Sequence, residues 1–382
     1  MALSVCGAAL KLTSSGRGEV EQAISPRVLL IRPDHLGDVL MSSPSVEVLR
    51  KALPHAHLAM MVGPWSAEVA RRDPLLDEVL VCPFPGFTRA PKGTALGPYL
   101  LLSQTARWLR RQRYDAALVL RFDHWWGAWM AALAGIPIRV GCAVGECAPF
   151  LTHSVEPLGR VHWVEQSLRV AGRFLEACGI VAAGHSLRPA LRFAPKEEDE
   201  REASLLWSTL DLHPHRPVVA FHPGTGSALK LWPEERWIAL GWSLAGKGVQ
   251  VVVTGSQAEA SRAERVVGAI PNGRSLAGRT TVGTLAALLR RCDLVVGVDN
   301  GPLHFAVALG VRTVHLFGPT DPAVYGPWGD PARHRVVAAE FARPCGQLEP
   351  EPQPGVAAPC MEGISSERVA WECERLLTGA ER

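Results

Sequence analysis

Three short segments of this 382-residue chain combine glycine turns, small hydroxyl residues and isolated charges. Such arrangements can hold an anion and move a proton. In Leu294-Val-Val-Gly-Val-Asp-Asn-Gly-Pro-Leu-His304, an apolar strand ends in Asp299-Asn300-Gly301 and a helix begins at once. Free backbone N–H groups and the positive helix end at Asn300 and Gly301 suit a diphosphate. Asp299 can bind sugar hydroxyls, and His304 points back toward the cleft one turn later. The plainer reading is a helix cap by Asp299 or Asn300, with His304 packed against it. In His222-Pro-Gly-Thr-Gly-Ser-Ala-Leu-Lys230-Leu-Trp-Pro, a strand runs into a loop of small residues. Gly226 lets the backbone approach a phosphate, Thr225 and Ser227 can donate hydrogen bonds, and Lys230 adds a point charge. Pro233 is placed to start the next helix. A connecting loop without function is the alternative. In Arg32-Pro-Asp-His-Leu-Gly37-Asp38, Gly37 allows the tight turn after the first strand and leaves Asp38 at a helix start. A carboxylate there is kept ionised by the helix dipole, as a general base should be. Spacing alone favours a simple cap.

Absent motifs narrow the chemistry. Neither GxxxxGK[ST] nor GxGxxG occurs, and DxD, HExxH and GxSxG are missing. Metal-dependent sugar transfer of the DxD type, zinc hydrolysis and serine esterase chemistry are therefore unsupported, and no metal site is expected. The aromatic cluster Asp123-His-Trp125-Trp126-Gly-Ala-Trp129 offers flat faces for a sugar or lipid, though core packing is the stronger reading. Tyr99–Arg113 sets Leu100, Leu101, Leu102 and Trp108 beside Arg107, Arg110, Arg111 and Arg113. It can touch an anionic membrane surface, but reads more readily as a helix packed on a sheet with a solvated basic side.

The elements that must position these loops alternate as parallel βαβ units. Strands are predicted at 27–31, 57–62, 78–82, 115–120 and 139–142, then again at 218–222, 249–254, 294–298, 313–317 and 335–337. Helices are predicted at 39–53, 66–72, 101–112, 126–134 and 161–178, with another opening at 196–202. The second set follows at 233–245, 258–269, 282–291 and 301–309, with a closing helix at 365–377. The Pro-rich stretch 343–359 is expected to lack regular structure. The fold class is α/β: two doubly wound Rossmann-like domains facing a cleft, with ligands beyond the carboxyl ends of the strands. The expected division is an N-terminal extension over 1–25, domains over 26–195 and 196–362, and a C-terminal helix over 363–382.

Composition agrees with a folded globular chain. Hydrophobic residues make up 47% and charged residues 20%, and no apolar run approaches a membrane span. Residues 1–25 read as a loose extension without a basic leader or cleavage site, so the protein is expected in the cytoplasm. Residues 1–195 carry 21 Lys and Arg against 15 Asp and Glu; residues 196–382 carry 19 against 22. That asymmetry is too weak for a nucleic-acid binder, but suits an N-terminal half that meets an anion. The nine scattered cysteines read as buried free thiols, although Cys345 and Cys360 bracket the Pro-rich loop and can pair or bind a metal.

Together these segments, in this order, resemble glycosyltransferase family 9, the ADP-heptose:lipopolysaccharide heptosyltransferases and relatives. The resemblance runs through LLIRPDHLGDVLMSSPSVEVLRKALP, HPGTGSALKLWPEERW, VVVTGSQAE, LAGRTTVGTLAALLRRCDLVVGVDNGPLHFAVALG and LFGPTDP. It implies a GT-B fold with the acceptor mainly on the first domain and the nucleotide sugar mainly on the second. It also implies metal-independent transfer with inversion, without a cofactor. Carried over, Asp38 becomes the base and Lys230 the diphosphate-neutralising lysine, helped by Thr225, Gly226 and Ser227. Asp299, Asn300, Gly301 and His304 match the segment that holds donor phosphate and sugar. Thr280 falls where the family meets the base, and Glu259 where it meets the ribose. Arg32, Gly37, Arg121 and Asp123 are expected to face the acceptor. Asn300 stands where the family has Thr or Ser, and Pro33 and His35 are also departures. The expected partners are ADP-heptose or a related nucleotide sugar and an anionic glycolipid acceptor, with peripheral membrane contact. Two other readings stay open: the same fold with another donor or acceptor, and a non-catalytic two-lobed sugar-binding protein.

Overall fold

The alternation of apolar runs and amphipathic stretches produces two six-stranded sheets. The computed structural model describes residues 25–87, 94–157, 159–180, 188–339 and 359–379. The first sheet contains β1 (Arg27–Arg32), β2 (His57–Val62), β3 (Glu78–Val81), β4 (Ala116–Val119), β5 (Ile138–Cys142) and β6 (His153–Val155). The second contains β7 (Val218–His222), β8 (Gln250–Val253), β9 (Arg274–Ser275), β10 (Leu294–Val298), β11 (Arg312–Phe317) and β12 (His334–Ala338). Their orders are β3-β2-β1-β4-β5-β6 and β12-β11-β10-β7-β8-β9, with every pairing parallel. Read from the opposite edge, the second sheet repeats the winding of the first. In such sheets the strand order reverses between the first and fourth strands, and a crevice opens there. It lies between β1 and β4 in one sheet and between β7 and β10 in the other.

Helices cover both faces, so the central strands are buried throughout, as parallel sheets require. Val28–Ile31 and Leu294–Val296 have no exposed surface. The two short strands that pattern reading missed, β6 and β9, stand at sheet edges with three and two residues. Runs that short carry no periodicity to read.

One helix expectation is corrected. The predicted helix over 39–53 is two helices, Leu36–Leu40 and Ser43–Ala52. Pro44 lacks an N–H and would clash with the carbonyl four residues before it, so the helix stops and restarts with Pro44 in its first turn. Similarly, the stretch predicted over 258–269 begins with a 3₁₀ turn at Gln257–Glu259 before Ala260–Gly268. The closing helix, Ser366–Thr378, packs on the second sheet through Val369, Ala370, Cys373 and Leu376. Residues 1–24 of the expected extension and residues 343–358 of the Pro-rich stretch, with Cys345, lie outside the described residues. Cys82, Cys142, Cys147, Cys178, Cys292 and Cys373 are free thiols, as expected. Cys360 is disulfide-bonded, the pairing that the sequence left open at that position.

The halves are joined by more than the chain. Phe305, Val307 and Trp328 of the second half belong to the same apolar cluster as Val28, Leu30 and Trp163 of the first. Phe193 meets Phe305 at 4.8 Å, and His162 meets Trp328 at 4.9 Å. Arg72 holds Asp199 with two nitrogens, Arg160 pairs with Asp321, and the Trp328 indole donates to the Pro189 carbonyl at 2.8 Å.

Candidate active site at the switch points of the two sheets

The residues singled out by chemistry leave the carboxyl ends of β1, β4, β7 and β10. On the first sheet, β1 ends in Arg32, whose side chain is fully buried. Its guanidinium lies over the Trp163 ring at 4.8 Å and donates to the Leu120 carbonyl at 2.9 Å. It also forms an ion pair with Asp34 at 2.9 Å and stands 3.8 Å from the Asp38 carboxylate. From the end of β4, Arg121 pairs with Asp34 and also holds Asp123 at 2.5 Å. Asp34, which the sequence reading passed over, therefore sits between two arginines and is held below the usual carboxylate range, their charges outweighing its burial.

Asp38 differs. His35 holds the N-cap position of its helix, without a side-chain capping hydrogen bond, and Asp38 lies inside the first turn. The cap reading fails for this residue. The expectation that a helix dipole holds Asp38 ionised is also corrected, because burial pushes its carboxyl up to about 6. Arg32 and Arg121 oppose that rise, while the negative charges of Asp34 and Asp299 add to it. A five-residue helix offers too little aligned backbone to outweigh desolvation. The result is a carboxylate that ionises just below neutral pH with its oxygens unspent, which suits proton abstraction.

On the second sheet, Asp299 follows β10 and is buried. Its Oδ2 accepts from Lys230 Nζ at 2.7 Å and from Thr320 Oγ1 at 2.8 Å. Thr320 lies in the LFGPTDP segment and was not singled out from sequence. Lys230 still has two ammonium protons for an anion. Asn300 is the cap: its Oδ1 accepts from the Leu303 N–H at 3.3 Å and its Nδ2 donates to the Gly224 carbonyl at 2.8 Å. It thereby ties the loop after β7 to the helix Gly301–Ala308. Thr225 and Ser227 are half-buried and Gly226 is exposed on that loop. Trp232 anchors the loop from beneath; it is fully buried, with its indole donating to the Ile364 carbonyl at 2.9 Å.

Glu259 and Thr280 lie further along the same sheet edge. Glu259 Oε2 accepts from both the backbone and hydroxyl of Ser256 at 2.7 Å, and its carboxylate lies against Gly224, where a Cβ would stand 2.0 Å from Oε1. Thr280 is half-buried immediately before Thr281, which caps Val282–Leu289. Neither joins the Lys230–Asp299 ion pair.

The two loops meet. A Cβ on Gly37 would stand 3.1 Å from His304 Cδ2 and 3.2 Å from Gly301 Cα. Glycine at both positions lets the two helix starts approach this closely without either one shifting. His304 is buried, and burial pushes its imidazole down to about 4, so it is neutral at physiological pH. Its Nδ1 is buried without a hydrogen-bond partner. Sequence reading also missed His124, buried against Phe84 at 5.1 Å and Phe87 at 5.6 Å with both ring nitrogens unpartnered. The neighbouring tryptophans divide: Trp126 is core, whereas Trp125 is exposed. Among the described residues, no group of three or more His, Cys, Asp or Glu side chains is placed to hold a metal.

The glycosyltransferase family 9 (heptosyltransferase) family model matches residues 103–351. Lipopolysaccharide heptosyltransferase 2 of Salmonella typhimurium is 28% identical over 314 residues, covering 80% of this chain and 87% of that protein. A glycosyltransferase family 9 structure from Veillonella parvula superposes with a TM-score of 0.75 at 24% identity, covering 93% of this chain and 98% of that one. The structure of E. coli ADP-heptose lipopolysaccharide heptosyltransferase II gives 0.72 at 23% identity, covering 92% and 99%. These neighbours share the GT-B arrangement of two facing Rossmann-like units. The β1 loop with Asp38 lies ahead of the family-model match, so its role rests on the geometry described above. With both switch-point loops in place and the match extending over most of its length, this chain belongs to glycosyltransferase family 9, the heptosyltransferase family.

Proposed function

We propose that the protein transfers heptose from ADP-heptose to a hydroxyl of an anionic cell-envelope glycolipid of the lipopolysaccharide-core type, with inversion and without a metal. The observation that carries this reading is the meeting of an unspent, high-pKa carboxylate on one sheet with a lysine and a helix N-terminus on the other. Asp38 takes the proton of the acceptor hydroxyl as its oxygen bonds to the anomeric carbon. The bond from that carbon to the diphosphate breaks on the opposite face, and ADP leaves with the electron pair. An oxocarbenium-like sugar and an anionic leaving group develop together. Lys230 and the N–H groups at Gly301 stabilise that anion, a role such groups fill without a metal. Thr225, Gly226 and Ser227 line the diphosphate, His304 and Asp299 meet the sugar, Glu259 the ribose and Thr280 the base. Arg32 and Arg121 orient the acceptor side, with Gly37 and Asp123.

In this reading residues 26–195 form the acceptor domain, 196–362 the donor domain and 363–382 a closing helix. The reaction takes place in the cytoplasm at the inner face of the membrane, where a lipid-anchored acceptor is presented. The relatives' names support the donor and acceptor classes. The test is transfer from ADP-heptose, UDP-GlcNAc and GDP-mannose to a deacylated core acceptor, followed by product mass. Transfer from ADP-heptose alone is expected. Turnover of another donor would overturn the heptose assignment, and binding without turnover of any donor would overturn the transfer reaction.

A further inference from the structure

Ten large apolar side chains are exposed among the described residues, and seven of them fall within residues 81–133. Most of these stand on two adjoining helices of the first half. On Gly97–Gln112 and its N-cap, Leu96 is 68% exposed, Leu100 60% and Tyr99 53%, and Trp108 is exposed two turns further on. At helical spacing, Leu96, Leu100, Arg107 and Arg111 share the outward side, while Leu102, Ala106 and Leu109 point into the core. The second helix, Trp125–Leu133, continues the surface: Tyr99 meets Trp129 edge-on at 6.2 Å, and Trp129 stacks with Trp125 and Phe150. Arg110 bridges the helices by donating to the Leu133 carbonyl at 2.6 Å.

Charge on this surface has one sign. Neither helix contains an Asp or Glu, whereas the first carries Arg107, Arg110 and Arg111 and is followed by Arg113. Glu146, on the turn beside the second helix, and Asp123, just before that helix and paired with Arg121, are acidic residues at the margin. Exposed aromatic and leucine side chains interleaved with arginine, on a helix without acids, are the features of an element that lies in a membrane interface. A solvated helix face requires the arginines but has no use for Leu96, Leu100 and Tyr99 more than half exposed beside them. Open groove space of about 420 Å³ beneath Trp108, bounded by Leu80 and Leu101 against β3, extends the apolar surface.

We infer that the face formed by Gly97–Gln112 and Trp125–Leu133 docks on an anionic lipid bilayer, with Leu96, Tyr99 and Leu100 entering the interface and Arg107 and Arg111 on the headgroup phosphates. Position agrees with use. The second helix begins two residues after Asp123, on the loop that carries Arg121, so the docked face borders the acceptor side of the cleft. That the acceptor is itself lipid-anchored rests on the proposed function; bilayer binding by this face does not.

The experiment is co-sedimentation of the full chain with phosphatidylethanolamine vesicles containing phosphatidylglycerol, beside phosphatidylcholine vesicles, over a range of salt. Wild type is expected to bind the anionic vesicles, weakening with salt. Arg107→Gln with Arg111→Gln is expected to weaken binding by about thirtyfold, at ~1 kcal/mol per cation near an anionic surface. Leu96→Asp with Leu100→Asp is expected to abolish it. Both variants should keep wild-type turnover with a soluble deacylated acceptor, which shows that they fold. Failure of wild type to bind anionic vesicles, or unchanged binding by both variants, would overturn the inference. So would a wild-type dimer that Leu96→Asp with Leu100→Asp converts to monomer, because the face would then belong to a second copy. A protein that binds vesicles yet transfers no sugar would leave the docking face standing and remove the proposed function.

Discussion

The two halves wind their sheets identically and place their loops at equivalent switch points, yet the loops differ in chemistry. After β1 and β4 the chain sets carboxylates between a buried arginine, Arg32, and a half-buried one, Arg121. Asp34 is held closely by Arg32 and Arg121, while Asp38 has only a looser ion pair, 3.8 Å from Arg32. After β7 and β10 it sets a lysine on an aspartate beside a capped helix start. In the proposed reaction one loop accepts a proton and the other stabilises negative charge. A shared winding supplies the crevice, and a few residues at the strand ends decide what it does.

Each side of this comparison can be broken separately. The largest effect is expected for Asp38→Asn, which keeps the shape and removes the base. Transfer should fall by about 10²- to 10⁴-fold with ADP affinity unchanged, measured by single-turnover kinetics and calorimetry. Lys230→Ala attacks the opposite loop. It should lower kcat by about 10²- to 10³-fold and, unlike the Asp38 variant, weaken ADP binding as well. Gly301→Ala tests whether the loops must touch. Its Cβ would stand 3.2 Å from Leu36 Cβ and 3.3 Å from the Gly37 nitrogen, so the halves must shift by a few tenths of an ångström. A loss of about tenfold in kcat is expected, with the melting temperature little changed.

Asp34→Asn sharpens the contrast between the two carboxylates. The negative charge of Asp34 raises the Asp38 pKa, and its pairing occupies Arg32. Removing that charge frees Arg32 for Asp38, and both effects favour the ionised form. The acid limb of the pH–rate profile should therefore move to lower pH. The smallest effect is expected at Asn300. Asn300→Ala removes a helix cap and the clasp to Gly224, and should cost about 1 kcal/mol in denaturant unfolding with modest change in turnover.

Much of this was legible in the sequence. The apolar runs predicted over 27–31, 115–120, 218–222 and 294–298 marked all four strand ends that carry the site, and the small or charged residues after them marked the loops. Asp34 was not legible, since a second aspartate four residues before Asp38 reads as a turn residue until Arg121 arrives from β4, 87 positions away. Thr320 was hidden for the same reason, being joined to Asp299 only by the fold. The pKa of Asp38 was misread because local spacing reports a helix start but says nothing of the second half closing over it. Asn300 was read as a donor contact and as a cap. Its hydrogen bonds show the cap, while contact with a donor belongs to the proposal.

The proposed reaction depends most on Asp38 as the base. Its most direct test is kcat/KM for transfer from ADP-heptose as a function of pH, in wild type and Asp38→Asn. Wild type should lose activity as pH falls through about 6, where this carboxylate takes up its proton. The variant should run far lower, with no limb in that range. A variant that turns over within a few-fold of wild type, or that keeps the same acid limb, would contradict the assignment.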